Sequence, residues 1–131
     1  MNMDTLKTYK KEDGSYLGVL GMELVPFPIK RIFFVSSADN KNCSRGSHAH
    51  YECRQLLACL SGKIEIQYEN RDGKGKIDLN CGETFLHENL EWAELLFVEE
   101  KSTLLSLCSH EYDEGDYIRS YEEFLQVVTN T

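Results

Sequence analysis

Apolar residues along this chain fall in short runs separated by turn residues, and only the last run has helical spacing. Residues 15–20 follow an Asp13-Gly14 turn signal. Arg31–Ser36 (RIFFVS) is a compact apolar run, and residues 55–60 (QLLACL) end at Ser61-Gly62. Residues 63–68 (KIEIQY) alternate apolar and polar positions, the period of a half-buried strand. Arg71-Asp72-Gly73 reads as a hairpin tip leading into a strand at 76–79, and Asn80-Cys81-Gly82 reads as a further turn. Runs at 84–87, 92–99 and Thr103–Cys108 complete the set. Many short strands with turns between them predict an all-β sandwich or barrel. Tyr121, Phe124, Leu125 and Val128 recur at helical intervals, with Ser120 as N-cap and Glu123 as its capping-box partner. They predict one short helix over 120–128.

Size adds a limit. A chain of 131 residues fits one domain, 1–131, and can bury a core without staples. Its net charge of -8 argues against nucleic acid as a partner, because phosphate-backbone binding needs a basic face. A small anionic ligand remains compatible, since Lys30, Arg31 and Arg45 lie near the histidines while the acidic residues gather toward the C-terminus. The five cysteines are odd in number and form no CxxC, which points to reduced thiols in a cytoplasm rather than a disulfide framework. Residues 1–11 are polar, so no signal peptide is expected, and no apolar stretch reaches membrane-spanning length.

The candidate chemistry centres on Arg45-Gly46-Ser47-His48-Ala49-His50, followed by Gln55 and Gly62. On a strand, residues two apart share a face, so His48 and His50 project side by side. Imidazole titrates near neutral pH and can take and return protons. Three readings compete: a solvent-facing pair without function, a metal site, and metal-free acid–base catalysis. A catalytic metal usually takes three or more protein ligands. The next ligand position here is the neutral Gln55, and His87 is the candidate fourth. Acid–base catalysis needs only the pair and a pocket, and it is the preferred reading.

The spacing resembles the first cupin motif, with Gln55 in place of the usual Glu. Where the second cupin motif brings another His, this chain reads His87-Glu88-Asn89-Leu90-Glu91-Trp92-Ala93-Glu94-Leu95. A narrower resemblance covers most of the chain. Pro26-Phe27-Pro28-Ile29-Lys30-Arg31-Ile32-Phe33-Phe34, the Arg45 to His50 segment, Gln55, and the ending Tyr112-Asp113-Glu114-Gly115-Asp116-Tyr117-Ile118-Arg119 are similar to the sugar-nucleotide 3,4-ketoisomerases. These are metal-independent cupins acting on dTDP-4-keto-6-deoxyglucose.

That resemblance implies a single cupin (jelly-roll) barrel with a short C-terminal helix, no cofactor, no bound metal, and a dTDP-linked 4-keto-6-deoxyhexose as substrate. It implies conversion to the 3-keto isomer through an enediol, for deoxy- and amino-sugar biosynthesis, with His48 and His50 moving the protons. Arg45 and Arg31 are carried as substrate-binding residues, Arg45 meeting substrate charge or an enolate oxygen. Gln55 is expected to fix a histidine tautomer, Trp92 to stack on a sugar or base or else to be structural, and Glu94 to enter the cavity as a further acid or base. Tyr112 and Tyr117 are expected to pack at the acidic turn. A homodimer is implied by the family alone. The chain departs from the family at Phe33-Phe34, where Tyr is common, and at Asp13-Gly14, where Arg-Gly is common. These departures keep two alternatives in view: a non-catalytic sugar-nucleotide-binding cupin, and a metal-dependent cupin enzyme.

Overall fold

The computed structural model describes residues 3–130. In chain order it contains β1 (Met3–Thr5), β2 (Lys7–Lys10), β3 (Tyr16–Val19), β4 (Arg31–Ser36), β5 (Cys43–His50), β6 (Gln55–Ser61) and β7 (Lys63–Asn70). Then follow β8 (Gly73–Asn80), β9 (Glu83–His87), β10 (Trp92–Phe97), β11 (Thr103–Cys108), β12 (Tyr117–Ile118) and α1 (Tyr121–Thr129). One sheet has the order β1-β9-β6-β11-β4 and the other β12-β5-β10-β7-β8, while β2 and β3 form a separate hairpin. All the pairings are antiparallel. This is the all-β sandwich that the strand pattern predicts, in the jelly-roll arrangement that the resemblance implies. β4 and β11 coincide with their apolar runs. β10 stops at Phe97, short of the expected residue 99, because a turn follows. β1 and β2 lie in a stretch read as merely polar. β2 is exposed along its whole length, so no burial alternation marks it.

The space between the sheets is graded. At one end Ile64, Ile66, Leu79, Phe97, Leu104 and Cys59 form a closed apolar core. Along the inner face of the first sheet, the register sets three cross-strand rows. Val35, Leu104 and Cys59 are aligned; next come Phe33, Ser106, Leu57 and Phe85; last come Arg31, Cys108, Gln55 and His87. The third row is polar, so this end is a site rather than core. A second cluster lies outside the other sheet, where Phe124 of α1 packs with Ala49, Trp92 and Ile118. Ser120 caps α1 as expected, its side chain accepting from the Glu123 amide. The Glu123 carboxylate instead accepts from the Tyr51 hydroxyl at 2.8 Å.

The strand that carries the histidines is irregular. Opposite β10, Arg45 pairs with Leu95, Gly46 with Glu94, and His48 with Ala93, so Ser47 is an extra residue in the ladder. Gly46 has φ +92° and Ser47 φ +66°, the left-handed geometry that a bulge of this kind requires. A one-residue insertion reverses which side chains face inward. Arg45, an odd position, therefore shares the inner face with the even positions His48 and His50. A Cβ on Gly46 would lie 3.1 Å from the Ala93 carbonyl oxygen.

Gly46→Ala is expected to lower stability by about 1–3 kcal/mol in urea unfolding, through positive-φ strain and that close contact. Deletion of Ser47 is expected to give a protein in which Arg45 and the histidines no longer share a face. A stable deletion variant retaining full ligand affinity would contradict the bulge assignment.

Candidate active site

The polar end of the sandwich encloses a cavity of about 330 Å³. Its walls include Arg45 and His48 from β5, Gln55 from β6, His87 from β9, and Ala93 and Leu95 from β10. Phe33 closes one side, and Tyr117 and Arg119 close another. His50 stands immediately behind His48, their ring centroids 4.8 Å apart and their planes at 81°. The Tyr117 ring lies 4.6 Å from His50 and 5.1 Å from His48. Tyr117 pairs with His50 across β12 and β5, so the terminal strand delivers this phenol to the histidines. Arg119 lies over the Tyr117 ring at 4.3 Å and is held by Glu114 at 2.7 Å. Asp116 anchors the loop after His50 by accepting from the Glu52 and Cys53 amides.

Burial governs the ionisation of the pair. It pushes His48 down to about 4, with His87 adding to the effect and a hydrogen bond to the Gly46 backbone opposing it. It pushes His50 down to about 3, with His87 and His48 adding to the effect. Both rings are therefore neutral at pH 7, each holding one N–H and one lone pair. His50 is 1% exposed, and neither of its ring nitrogens has a hydrogen-bond partner among the described residues. Buried polar atoms are normally paired, so this is an open requirement for a donor and an acceptor.

The structure brings His48, Arg45 and Gln55 to the cavity wall, with His50 in contact behind it. Arg31 lies on the same inward face as Phe33, beside Cys108, and its Nε also lacks a partner among the described residues. Gln55 lies opposite His87, but its Nε2 donates to Cys108 Sγ at 3.6 Å rather than to a histidine. Trp92 and Glu94 are not in the cavity. Ala93 and Leu95 face inward, so their neighbours on β10 face outward. Trp92 packs under α1 against Phe124, and Glu94 accepts from the Ser47 hydroxyl at 3.2 Å on the outer surface. Tyr117, expected to pack at the turn, faces the histidines, and Arg119 joins it. The run Asp116-Tyr117-Ile118-Arg119 was the available signal for both. Among the described residues, no group of three or more His, Cys, Asp or Glu side chains is arranged to hold a metal ion.

Comparison with known proteins follows the same lines. The family model described as "FdtA: WxcM-like, C-terminal" matches residues 1–129. A TDP-4-oxo-6-deoxy-alpha-D-glucose-3,4-oxoisomerase from Aneurinibacillus thermoaerophilus is 28% identical over 116 residues, covering 88% of this chain and 83% of that one. The sugar 3,4-ketoisomerase QdtA from Thermoanaerobacterium thermosaccharolyticum, solved with TDP, superposes with a TM-score of 0.85 and 31% identity, covering 98% of this chain and 93% of that one. The TDP-fucose-3,4-ketoisomerase WlaRA from Campylobacter jejuni gives a TM-score of 0.81 and 30% identity, covering 99% and 98%.

The two depressed histidines predict a pH effect on stability. Below about 6.5 an unfolded chain takes up protons that the buried rings refuse. Stability is therefore expected to fall as pH drops from about 6.5, and to keep falling through the folded-state values near 4 and 3. His50→Asn is expected to flatten this slope in urea unfolding between pH 6.5 and 4. An unchanged slope would show that His50 is not buried neutral.

Proposed function

The chain belongs to the FdtA family (WxcM-like, C-terminal), and from that membership we propose that it is a sugar-nucleotide 3,4-ketoisomerase acting on a TDP-linked 4-keto-6-deoxyhexose. The observation that carries this reading is the neutral His48–His50 pair at a cavity wall, with both His50 nitrogens lacking partners. A keto-sugar matches a neutral imidazole pair, since it offers a carbonyl oxygen that accepts and a hydroxyl that donates.

The reaction is an internal redox exchange with no net gain or loss of atoms. A ring nitrogen removes the proton from C3, and an imidazole N–H protonates the C4 carbonyl oxygen, giving an enediol. The C3 hydroxyl then returns its proton to the protein, and C4 receives one, leaving the ketone at C3. We assign the carbon-bound proton to His48. It lines the cavity, whereas His50 stands behind it. His50 moves protons between the two oxygens. Neutral rings suit this work, because each must accept a proton at one step and release it at another.

Arg45 stands where the cavity meets an adjoining cleft of about 490 Å³, which shares Val35, Arg45 and Gly46 with it and adds Ser36, Ser37, Asn40 and Ser44. This supports a reading with the nucleotide in the adjoining cleft, the diphosphate at the Arg45 guanidinium, and the hexose at the histidines. The five free cysteines fit work in a reducing cytoplasm.

The protein is read as a homodimer. Hairpin β2–β3 pairs with neither large sheet and exposes Tyr9, Leu17 (61%) and Val19, while the edge strand β4 exposes Ile32 (59%) and Phe34 (74%). Apolar surface of this extent beside an open strand edge suits a second copy of the chain.

Purified protein given TDP-4-keto-6-deoxyglucose is expected to yield the 3-keto isomer, trapped as a 3-amino sugar by an aminotransferase, with undiminished rate after exhaustive chelation. His48→Asn and His50→Asn are each expected to lower kcat by about 10²–10⁴-fold. Binding without turnover by wild type would assign a sugar-nucleotide-binding role instead, and loss of activity on chelation would assign a metal-dependent enzyme.

Light scattering is expected to give twice the 15.1 kDa chain mass, and Phe34→Glu to give a monomer. A monomeric wild type would remove the dimer from this reading.

A further inference from the structure

A third imidazole lines the cavity and has no part in the proton transfers above. His87 ends β9 directly opposite Gln55, in the polar row of the first sheet. It is 2% exposed, and its ring lies 6.4 Å from His48 and 5.8 Å from His50. Its Nε2 is 2.7 Å from the Glu91 carbonyl oxygen. A carbonyl oxygen only accepts, so Nε2 carries the hydrogen. Burial holds the ring neutral. A neutral imidazole has one N–H, so Nδ1 is a bare lone pair. Among the described residues, the hydrogen bond of this ring is the one at Nε2.

The substrate class leaves one group to match it. In a 4-keto-6-deoxyhexose linked through C1, C4 is a carbonyl and C6 a methyl. The C3 hydroxyl is consumed by the reaction. The C2 hydroxyl is the only other donor on the ring, and C2 adjoins the carbon that loses its proton. Resting on the ketoisomerase reading, we propose that His87 Nδ1 accepts a hydrogen bond from the C2 hydroxyl of the hexose, so that this residue selects sugars bearing oxygen at C2. Because the Glu91 carbonyl holds the tautomer, His87 presents an acceptor and never a donor to the sugar. This contact orients C3 toward His48 without exchanging a proton.

The test uses TDP-linked 6-deoxyglucose and TDP-linked 2,6-dideoxyglucose, 4-hydroxy analogues that cannot isomerise, with TDP alone as a control. Binding is measured by calorimetry on the full chain. Wild type is expected to bind the dideoxy compound roughly tenfold more weakly, the worth of one hydrogen bond in an enclosed site. His87→Gln places an amide at the Nε2 position, keeping the donor to Glu91 and removing the cavity acceptor. It is expected to bind both analogues equally. His87→Asn places an oxygen at the Nδ1 position and is expected to retain discrimination, although melting at a lower temperature. All three proteins are expected to bind TDP alike. A purely structural His87 predicts the reverse order, with the Gln variant resembling wild type and the Asn variant impaired. Equal binding of both analogues by wild type, or retained discrimination by His87→Gln, overturns the proposal. If the Gln variant does not fold, loss of discrimination in His87→Asn overturns it. Turnover of the 4-keto substrate is scored separately. A protein that discriminates but does not isomerise would sink the ketoisomerase reading and leave the His87 contact standing. Turnover without discrimination would do the opposite.

Discussion

The site depends on one extra residue. In a regular β5, Arg45 would share its face with residues 47 and 49, and the histidines would point into the layer under α1. The Gly46-Ser47 bulge reverses that parity midway along the strand. Upstream of it, Cys43 and Arg45 face the interior. Downstream, His48 and His50 do so, and Ala49 packs beneath Trp92 and Phe124 instead. The cation and the imidazoles meet in one cavity because the backbone accepts two left-handed residues in succession. Glycine makes the first of these cheap, and the Ala93 carbonyl 3.1 Å from its missing side chain leaves little room for anything larger.

Burial and polarity are set against each other at this end of the fold. The same sheets that close over Ile64, Ile66 and Phe97 end in a row of Arg31, Cys108, Gln55 and His87. Low dielectric keeps His48 and His50 uncharged at neutral pH, the state that the proposed proton transfer needs. It also leaves His50 with unpaired nitrogens, an arrangement that costs stability. Stability and reactivity are thus opposed at one residue. Cys108 is held low chiefly by a hydrogen bond with the Cys53 thiol, and further by Ser106 and the nearby Arg31 charge.

The C-terminal segment finishes the wall. Asp116 ties down the loop after His50, Tyr117 places its ring over both histidines, and Ile118 turns to the other side to join Phe124. Alternation along a two-residue strand therefore serves the cavity and the helix at once. α1 contributes no group to the chemistry. Its burial of Phe124 against Trp92 holds β12 against β5 and so keeps Tyr117 in place.

Local pattern determined a good deal. Period-two alternation and turn residues are properties of a few consecutive side chains, so β4, β6, β7 and β11 and the helix were legible, as was the His48–His50 pair. The motif around Arg45 and the Tyr117 to Arg119 run carried the family. Facing was not legible wherever it rests on pairing between distant strands. Glu94 was expected in the cavity and Trp92 either at the substrate or in a structural place; the register of β10 with β5 and β7 turns both outward, Trp92 to the structural place, and brings Ala93 and Leu95 in. Gln55 was expected to fix a histidine tautomer; cross-strand register sets it between His87 and Cys108, and its amide donates to the Cys108 sulfur. Tyr117 and His87 lie 67 and 37 residues beyond His50 in the sequence, and only the closing of the two sheets brings their rings within 6 Å of it. Sequence alone supplied the functional groups. Tertiary structure decided which of them share a cavity, because a side chain's direction on a strand depends on bulges and partners that local pattern does not encode.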